Sequence, residues 1–250
     1  MAKDEFILAV DTSTRHCAVA LCRSADGCGA CDILAQSCVD RPRLHAERLL
    51  DGVHWVLDAA ACPMDRVTCL AAAAGPGSFT GLRVGLATWK GLAFALQLPL
   101  VAVPTLDAMA RLVPLSDGVV IPLLDARMRE VFGAVYRYRD GVRETLVQEQ
   151  VCPVDDLLTG GYMNERPLFF LGEGAWRYES ILRAHAPQAC LVSPACGTAR
   201  ADTVAEEACA RMRAGCATDP AAAVPCYLRA SQAEQARAAR AAKSAGMPPA

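Results

Sequence analysis

Residues 67–90 read VTCLAAAAGPGSFTGLRVGLATWK. The apolar run 67–74 has the length and content of a buried strand, and Gly75-Pro76-Gly77 stops it, because glycine supplies unusual backbone angles and proline removes a donor. The next residues start a helix: Ser78 or Thr80 can cap it, and Leu82, Leu86, Trp89, Leu92, Phe94 and Leu96 carry it to about residue 98, before Pro99. Strand, glycine loop and helix in that order suggest an anion site, since the free amides of a helix N-terminus attract phosphate oxygens. Two phosphate loops fail on spacing. A P-loop ends in Gly-Lys-Ser/Thr, whereas the nearest lysine here is Lys90, deep in the helix. The dinucleotide pattern G-x-G-x-x-G is missed by one residue, and no acidic residue ends the following strand, 100–103.

The helix carries two rows of small residues, Gly77, Gly81 and Gly85 on one side and Ala87, Gly91 and Ala95 on another. At about 100° per residue the two rows point to different sides, so one row can pack on the chain's own sheet while the other meets a second helix. The alternative is that both rows serve internal packing.

With 250 residues, 53% of them hydrophobic, the chain can bury a large core or two modest ones. A net charge of −2 does not favour nucleic acid binding by this chain alone. The opening MAKDEFILAV lacks the features of a secretory signal and no apolar run reaches the roughly 20 residues of a membrane span, so no membrane role and a cytoplasmic location are expected. Thirteen scattered cysteines point to free thiols. Cys28-Gly-Ala-Cys31 has no second close pair to complete a zinc site, and a turn with free thiols is the expected reading.

In chain order, residues 6–10 form a strand ending at Asp11, Thr12-Ser13-Thr14 turn the chain, and 17–22 return as a hairpin, with a third strand at 33–39. Residues 44–60 carry an amphipathic stripe, Leu49, Leu50, Val53, Val56 and Leu57. After a helix near 105–113, residues 118–125 repeat the opening theme of an apolar strand ending in aspartate. Placing Asp11 on Asp125 leaves five residues before the next strand in both halves. This reads as an internal duplication; two unrelated hairpins are the alternative. Further strands are expected at 142–152, 167–171 and 191–192. Helices are expected at 154–158, 176–184 and 203–214, the last capped by Asp202 or Thr203 and bracing the first domain.

The four histidines, His16, His45, His54 and His185, lack the three- or four-residue spacing of a helical metal pair, and no serine sits in a G-x-S-x-G elbow, so neither catalytic nor metal-binding residues are assigned. The duplicated aspartates could face each other across a cleft, with Gly172-Glu173-Gly174 as a phosphate-side turn. Asp11, Thr12, Ser13, Gly172 and Gly174 are the candidate nucleotide residues. The site reads as weakened, because Thr12-Ser13 stand where glycine would let the backbone wrap a phosphate. Turn capping is the competing role for Asp11, and ion pairing near Arg127 and Glu130 for Asp125.

Ile7-Leu-Ala-Val-Asp-Thr-Ser-Thr14, His45-Ala-Glu47, Gly75-Pro-Gly-Ser-Phe-Thr-Gly-Leu-Arg83, Asp125-Ala-Arg127, Gly172-Glu-Gly-Ala175 and Tyr227-Leu-Arg229 together resemble the TsaB (YeaZ) family over about residues 5–230. The resemblance implies an α/β fold of two tandem actin-like (RNase H-like) domains with mixed sheets flanked by helices, here 1–108 and 109–230; alanine, glutamine and arginine dominate from Ser231 on, and by composition 231–250 is expected to be a flexible tail. It implies a scaffold without chemistry of its own in making threonylcarbamoyladenosine on tRNA. In that family a related TsaD subunit carries a metal-binding histidine pair and transfers the threonylcarbamoyl group, while TsaE supplies an ATPase. The expected partners are thus a TsaD-like subunit, a TsaE-like ATPase and, when alone, a second copy, with tRNA met only through the complex. No cofactor is required, and nucleotide binding would be weak. The family's dimer contact lies on the first-domain helix pair, which places His45, Leu49, Gly77, Gly81 and Gly85 at the partner interface. An autonomous kinase or ATPase of the same superfamily is the alternative.

Overall fold

The computed structural model describes residues 4–24, 31–40, 45–113, 117–216 and 219–229, with only the backbone at 45–47. Cys28, the side chain of His45 and the tail 231–250 lie outside the described residues.

In β1 (Glu5–Asp11) every second side chain points the same way. Phe6, Leu8 and Val10 enter one core, and Ile7 and Ala9 a second core on the opposite face. A sheet buried on both faces follows. β2 (His16–Ser24) and β3 (Cys31–Asp40) pair antiparallel outward from β1, while β4 (Cys69–Gly75) and β5 (Leu100–Pro104) add parallel strands on the other side, giving the order β3-β2-β1-β4-β5. β4, CLAAAAG, is buried at every position, as a parallel central strand requires.

Helices α1 (His45–Ala59) and α2 (Phe79–Leu96) cover the first of these faces. Trp89 of α2 is fully buried there and its indole Nε1 donates to the Leu8 carbonyl at 3.0 Å, which satisfies the one polar atom the ring carries inside. The opposite face is lined by alanines, Ala9, Ala18, Ala20, Ala71 and Ala73. Their small size lets α7 (Ala201–Arg213), near the end of the described chain, lie across the first sheet through Val204, Ala205 and Ala208.

The second half repeats the arrangement. β6 (Gly118–Arg127), β7 (Glu130–Arg139) and β8 (Val142–Pro153) run antiparallel, and β9 (Leu168–Leu171) and β10 (Cys190–Leu191) add parallel to β6, in the order β10-β9-β6-β7-β8. This is the first sheet's topology strand for strand. The helices α3 (Thr105–Ala110), α4 (Glu173–Arg177), α5 (Glu179–His185) and α6 (Pro194–Gly197) complete the described α-helices, and residues Val154–Leu158 form a 3-10 helix. α3 sends Leu106, Met109 and Ala110 into the second sheet's core and Ala108 into the first's.

Ions fasten this junction. Glu207 of α7, 3% exposed, accepts from Arg111 Nε at 2.6 Å and Arg143 Nη2 at 2.9 Å, and Asp107 of α3 accepts from the Tyr136 hydroxyl and Arg211 Nη2, both at 2.6 Å. Two local expectations change. The single helix expected at 176–184 is two short helices parted at Tyr178, and α7 starts at Ala201 with no side-chain cap, because Asp202 pairs with Arg200 instead.

Candidate functional site

β1 ends in a closed turn: Asp11 Oδ1 accepts the Ser13 amide at 2.8 Å and the Ser13 hydroxyl at 2.6 Å. β6 closes in the same way, Asp125 Oδ1 accepting the Arg127 amide at 3.0 Å. The two aspartates thus occupy matching tips of two matching sheets. Turn capping is what both carboxylates visibly do. Asp125 also lies 3.5 Å from the guanidinium groups of Arg127 and Arg177.

The glycine loop before α2 sits on the first tip. The Ser78 amide donates to the Ser13 carbonyl at 2.6 Å, and Thr12 Oγ1 donates to the Gly81 carbonyl at 2.8 Å. Ser78 caps α2, its hydroxyl accepting the Gly81 amide at 3.3 Å. The row Gly77, Gly81 and Gly85 faces this contact. A Cβ at Gly77 would lie 2.4 Å from the Ser13 carbonyl oxygen, one at Gly81 2.0 Å from that of Thr12, and one at Gly85 2.3 Å from Thr12 Oγ1.

These glycines therefore hold α2 against the chain's own hairpin, which corrects their assignment to a partner interface. Leu49 is corrected too, being 1% exposed in the first core. The other row faces out. Ala87, Gly91 and Ala95 are exposed, a Cβ at Gly91 would meet nothing within 4 Å, and Phe94 beside them is 79% exposed.

Between the two tips lies a cleft of about 320 Å³. Thr14, Arg15, His16 and Asp40 line it from the first sheet, and Leu124, Gly172, Glu173 and Trp176 from the second. Of the five nucleotide candidates only Gly172 lines it. Thr12 and Ser13 are buried and bonded to the glycine loop and to Asp11, as described above. Gly172 and Gly174 have a packing reason to be glycine. Gly172 has φ +93° and its added Cβ would sit 2.3 Å from the Leu123 carbonyl oxygen, while one at Gly174 would meet the same carbonyl at 3.0 Å. Burial, then the charge of Asp125, pushes the Glu173 carboxyl above its ordinary range, and burial draws His16 below its own. An anionic Glu173 here opposes a polyphosphate.

Sequence reasoning missed the closing strap, residues 219–229. Lys90 Nζ donates to the Ala221 and Ala223 carbonyls at 3.2 and 3.0 Å, and the Cys226 amide donates to the Ala74 carbonyl at 2.6 Å. Tyr227 stacks on Phe79 at 4.6 Å and accepts from Arg83 Nε at 3.1 Å. Arg229 then reaches the second tip, donating to the Ala126 carbonyl at 2.6 Å and pairing with Glu130. The strap thus ties the glycine loop and α2 to the second sheet. Its backbone bonds leave no hydrophobic period to find, and only the Tyr227-Leu-Arg229 pattern signalled it.

A family model described as TsaD, tRNA N6-adenosine threonylcarbamoyltransferase, matches residues 32–237. The tRNA threonylcarbamoyladenosine biosynthesis protein TsaB of Bacillus subtilis is 32% identical over 177 residues, 70% of this chain and 74% of that protein. TsaB of Escherichia coli is 38% identical over 52% of this chain and 54% of its own length. A solved structure of YeaZ from Pseudomonas aeruginosa superposes with a TM-score of 0.72 at 30% identity, covering 90% of this chain and all of the other. Among the described residues no helix is long and apolar enough to cross a membrane.

Proposed function

The chain belongs to the TsaB (YeaZ) family, and we propose that it is the non-catalytic scaffold subunit of a complex that places a threonylcarbamoyl group on tRNA adenosine. Its direct partner in this reading is a TsaD-like transferase, with a TsaE-like ATPase joining the assembly, a second copy taking the partner's place when the chain is alone, and tRNA reached only through the complex. The cytoplasm is where such a complex would meet its tRNA.

The first tip carries this reading. Where a working phosphate turn needs free donors, Thr12 and Ser13 spend theirs on the glycine loop and on Asp11. Any nucleotide in the cleft would then be held weakly and by other groups, and none is required. The surface offered to the partner is the outward row of α2, Ala87, Gly91 and Ala95 with Phe94, which replaces the inward glycines in that role. Small side chains there permit a partner helix to approach closely, and the exposed ring supplies an apolar anchor.

Reconstitution tests it. The purified chain, with ATP, threonine, bicarbonate and tRNA, should yield no modified adenosine by nucleoside mass spectrometry. A TsaD-like subunit with its other partners should lose activity when this chain is left out. Robust modification by the chain alone would overturn the proposal.

A further inference from the structure

Cys31 opens β3, at the edge of the first sheet, and Cys209 lies in α7, which crosses that sheet after the chain has built the second one. Their sulfurs are 2.7 Å apart although 178 residues separate them in sequence. A disulfide bond measures about 2.05 Å, so closing the pair asks for a movement well under an ångström. The two thiols differ in access, Cys209 being 1% exposed and Cys31 half-buried.

We propose that Cys31 and Cys209 form a reversible disulfide that clamps α7 to the first sheet, made by exchange with a small-molecule disulfide. Cys31, the reachable thiol, attacks the incoming disulfide RS–SR as its thiolate, forming Cys31–S–SR and releasing RSH. Cys209 then attacks the Cys31 sulfur, the protein disulfide forms, and the second RS⁻ leaves and is protonated. Two electrons and two protons pass from the protein thiols to the carrier, and the balance is closed by the two RSH molecules. Access sets this order, because burial keeps the Cys209 sulfur from an incoming carrier and leaves Cys31 to lose its proton and attack first. The two thiols share a hydrogen bond, which with burial pushes the Cys31 thiol up and draws the Cys209 thiol down despite burial, the Ser24 hydroxyl and Arg213 adding to the latter effect. The buried partner is therefore poised as the resolving thiolate.

The clamp acts on the junction of the two sheets. α7 carries Glu207, to which Arg111 and Arg143 bind, so a bond at Cys209 fixes the helix that joins the sheets as well as the edge strand. Fastening residues so far apart in sequence constrains the unfolded chain strongly, and the oxidised form should melt roughly 5–10 °C higher.

The test uses the full chain and oxidised glutathione as the probe, with peptide mapping without reduction. The expected product is a linked pair of peptides holding Cys31 and Cys209, lighter by two hydrogens than the sum of the free ones and accompanied by the rise in melting temperature, both undone by dithiothreitol. In Cys209→Ser, Cys31 should accumulate as the glutathione adduct. Should that variant not fold, Cys31→Ser serves, in which Cys209 should stay alkylatable after unfolding. Cys31 found joined to Cys28 or Cys22, or left as a stable glutathione adduct in the unsubstituted chain, would overturn the proposal.

Discussion

Replacing Gly81 by alanine places one methyl group at the contact on which the first tip depends. Its carbon would lie 2.0 Å from the Thr12 carbonyl oxygen. An ordinary carbon–oxygen contact is about 3.3 Å or more, so α2 or the hairpin must move by over an ångström. Neither gives easily. The oxygen belongs to backbone held between β1 and β2, and the helix is fixed by the Trp89 bond to Leu8. Overpacking costs about 1–3 kcal/mol, and loosening the Thr12-to-Gly81 hydrogen bond about 1 more. Alanine's better helix propensity returns up to about 1 kcal/mol. The balance is a loss of about 1–3 kcal/mol, or roughly 3–10 °C in melting temperature for a chain of this size. Gly91→Ala is the control: with nothing within 4 Å of its Cβ, it should gain up to about 1 kcal/mol. Urea denaturation followed by circular dichroism measures both. A Gly81→Ala chain as stable as the unsubstituted one or more so, with Gly91→Ala less stable, would show that Gly81 is not the residue pressed against the hairpin.

Glu207→Gln should destabilise the fold at pH 7 by on the order of 3 kcal/mol, because it removes the buried charge to which two half-buried guanidinium groups bind. Burial opposes its charge, but Arg143 and Arg111 hold the Glu207 carboxyl below its ordinary range, so its stabilisation is full above about pH 4.5 and disappears as pH falls through the lower, folded value. Melting curves of the variant should accordingly change less with acid than those of the unsubstituted chain. The sign reverses at Glu173, whose folded pKa is raised. Its charge costs stability at neutral pH, so Glu173→Gln should melt higher at pH 7 and lose that advantage below about pH 4. Arg229→Ala frees the strap from the second tip, and a loss of about 1–2 kcal/mol with faster proteolysis near residues 219–229 is expected.

The parts of this fold that were legible in the sequence are those that local chemistry writes. The alternation in β1, the Gly75-Pro76-Gly77 stop and the Ser78 cap can each be read within a few residues, and the repeat of Asp11 at Asp125 announces two sheets that prove to share a topology. The direction of the glycine row was not legible. Periodicity separates the faces of α2 but carries no mark for which face meets the sheet, and both rows are small. Leu49 against Leu50 shows the same limit, one in the core and the other 47% exposed. The roles of Thr12 and Ser13 depend on partners 69 and 65 residues away in sequence, Gly81 and Ser78, which no local pattern supplies. The approach of Cys209 to Cys31 is of the same kind.

Under the proposed function the chain works by presenting the outward row of α2 to a transferase partner. Titrating the chain into a TsaD-like subunit by isothermal calorimetry, with Gly91→Arg as the comparison, measures that contact. The substitution points a long charged side chain into open space, so the free chain should melt no lower than the unsubstituted one while affinity falls by about a hundredfold, the equivalent of roughly 2.7 kcal/mol. Binding of Gly91→Arg with undiminished affinity would mean that this row of α2 does not meet the partner.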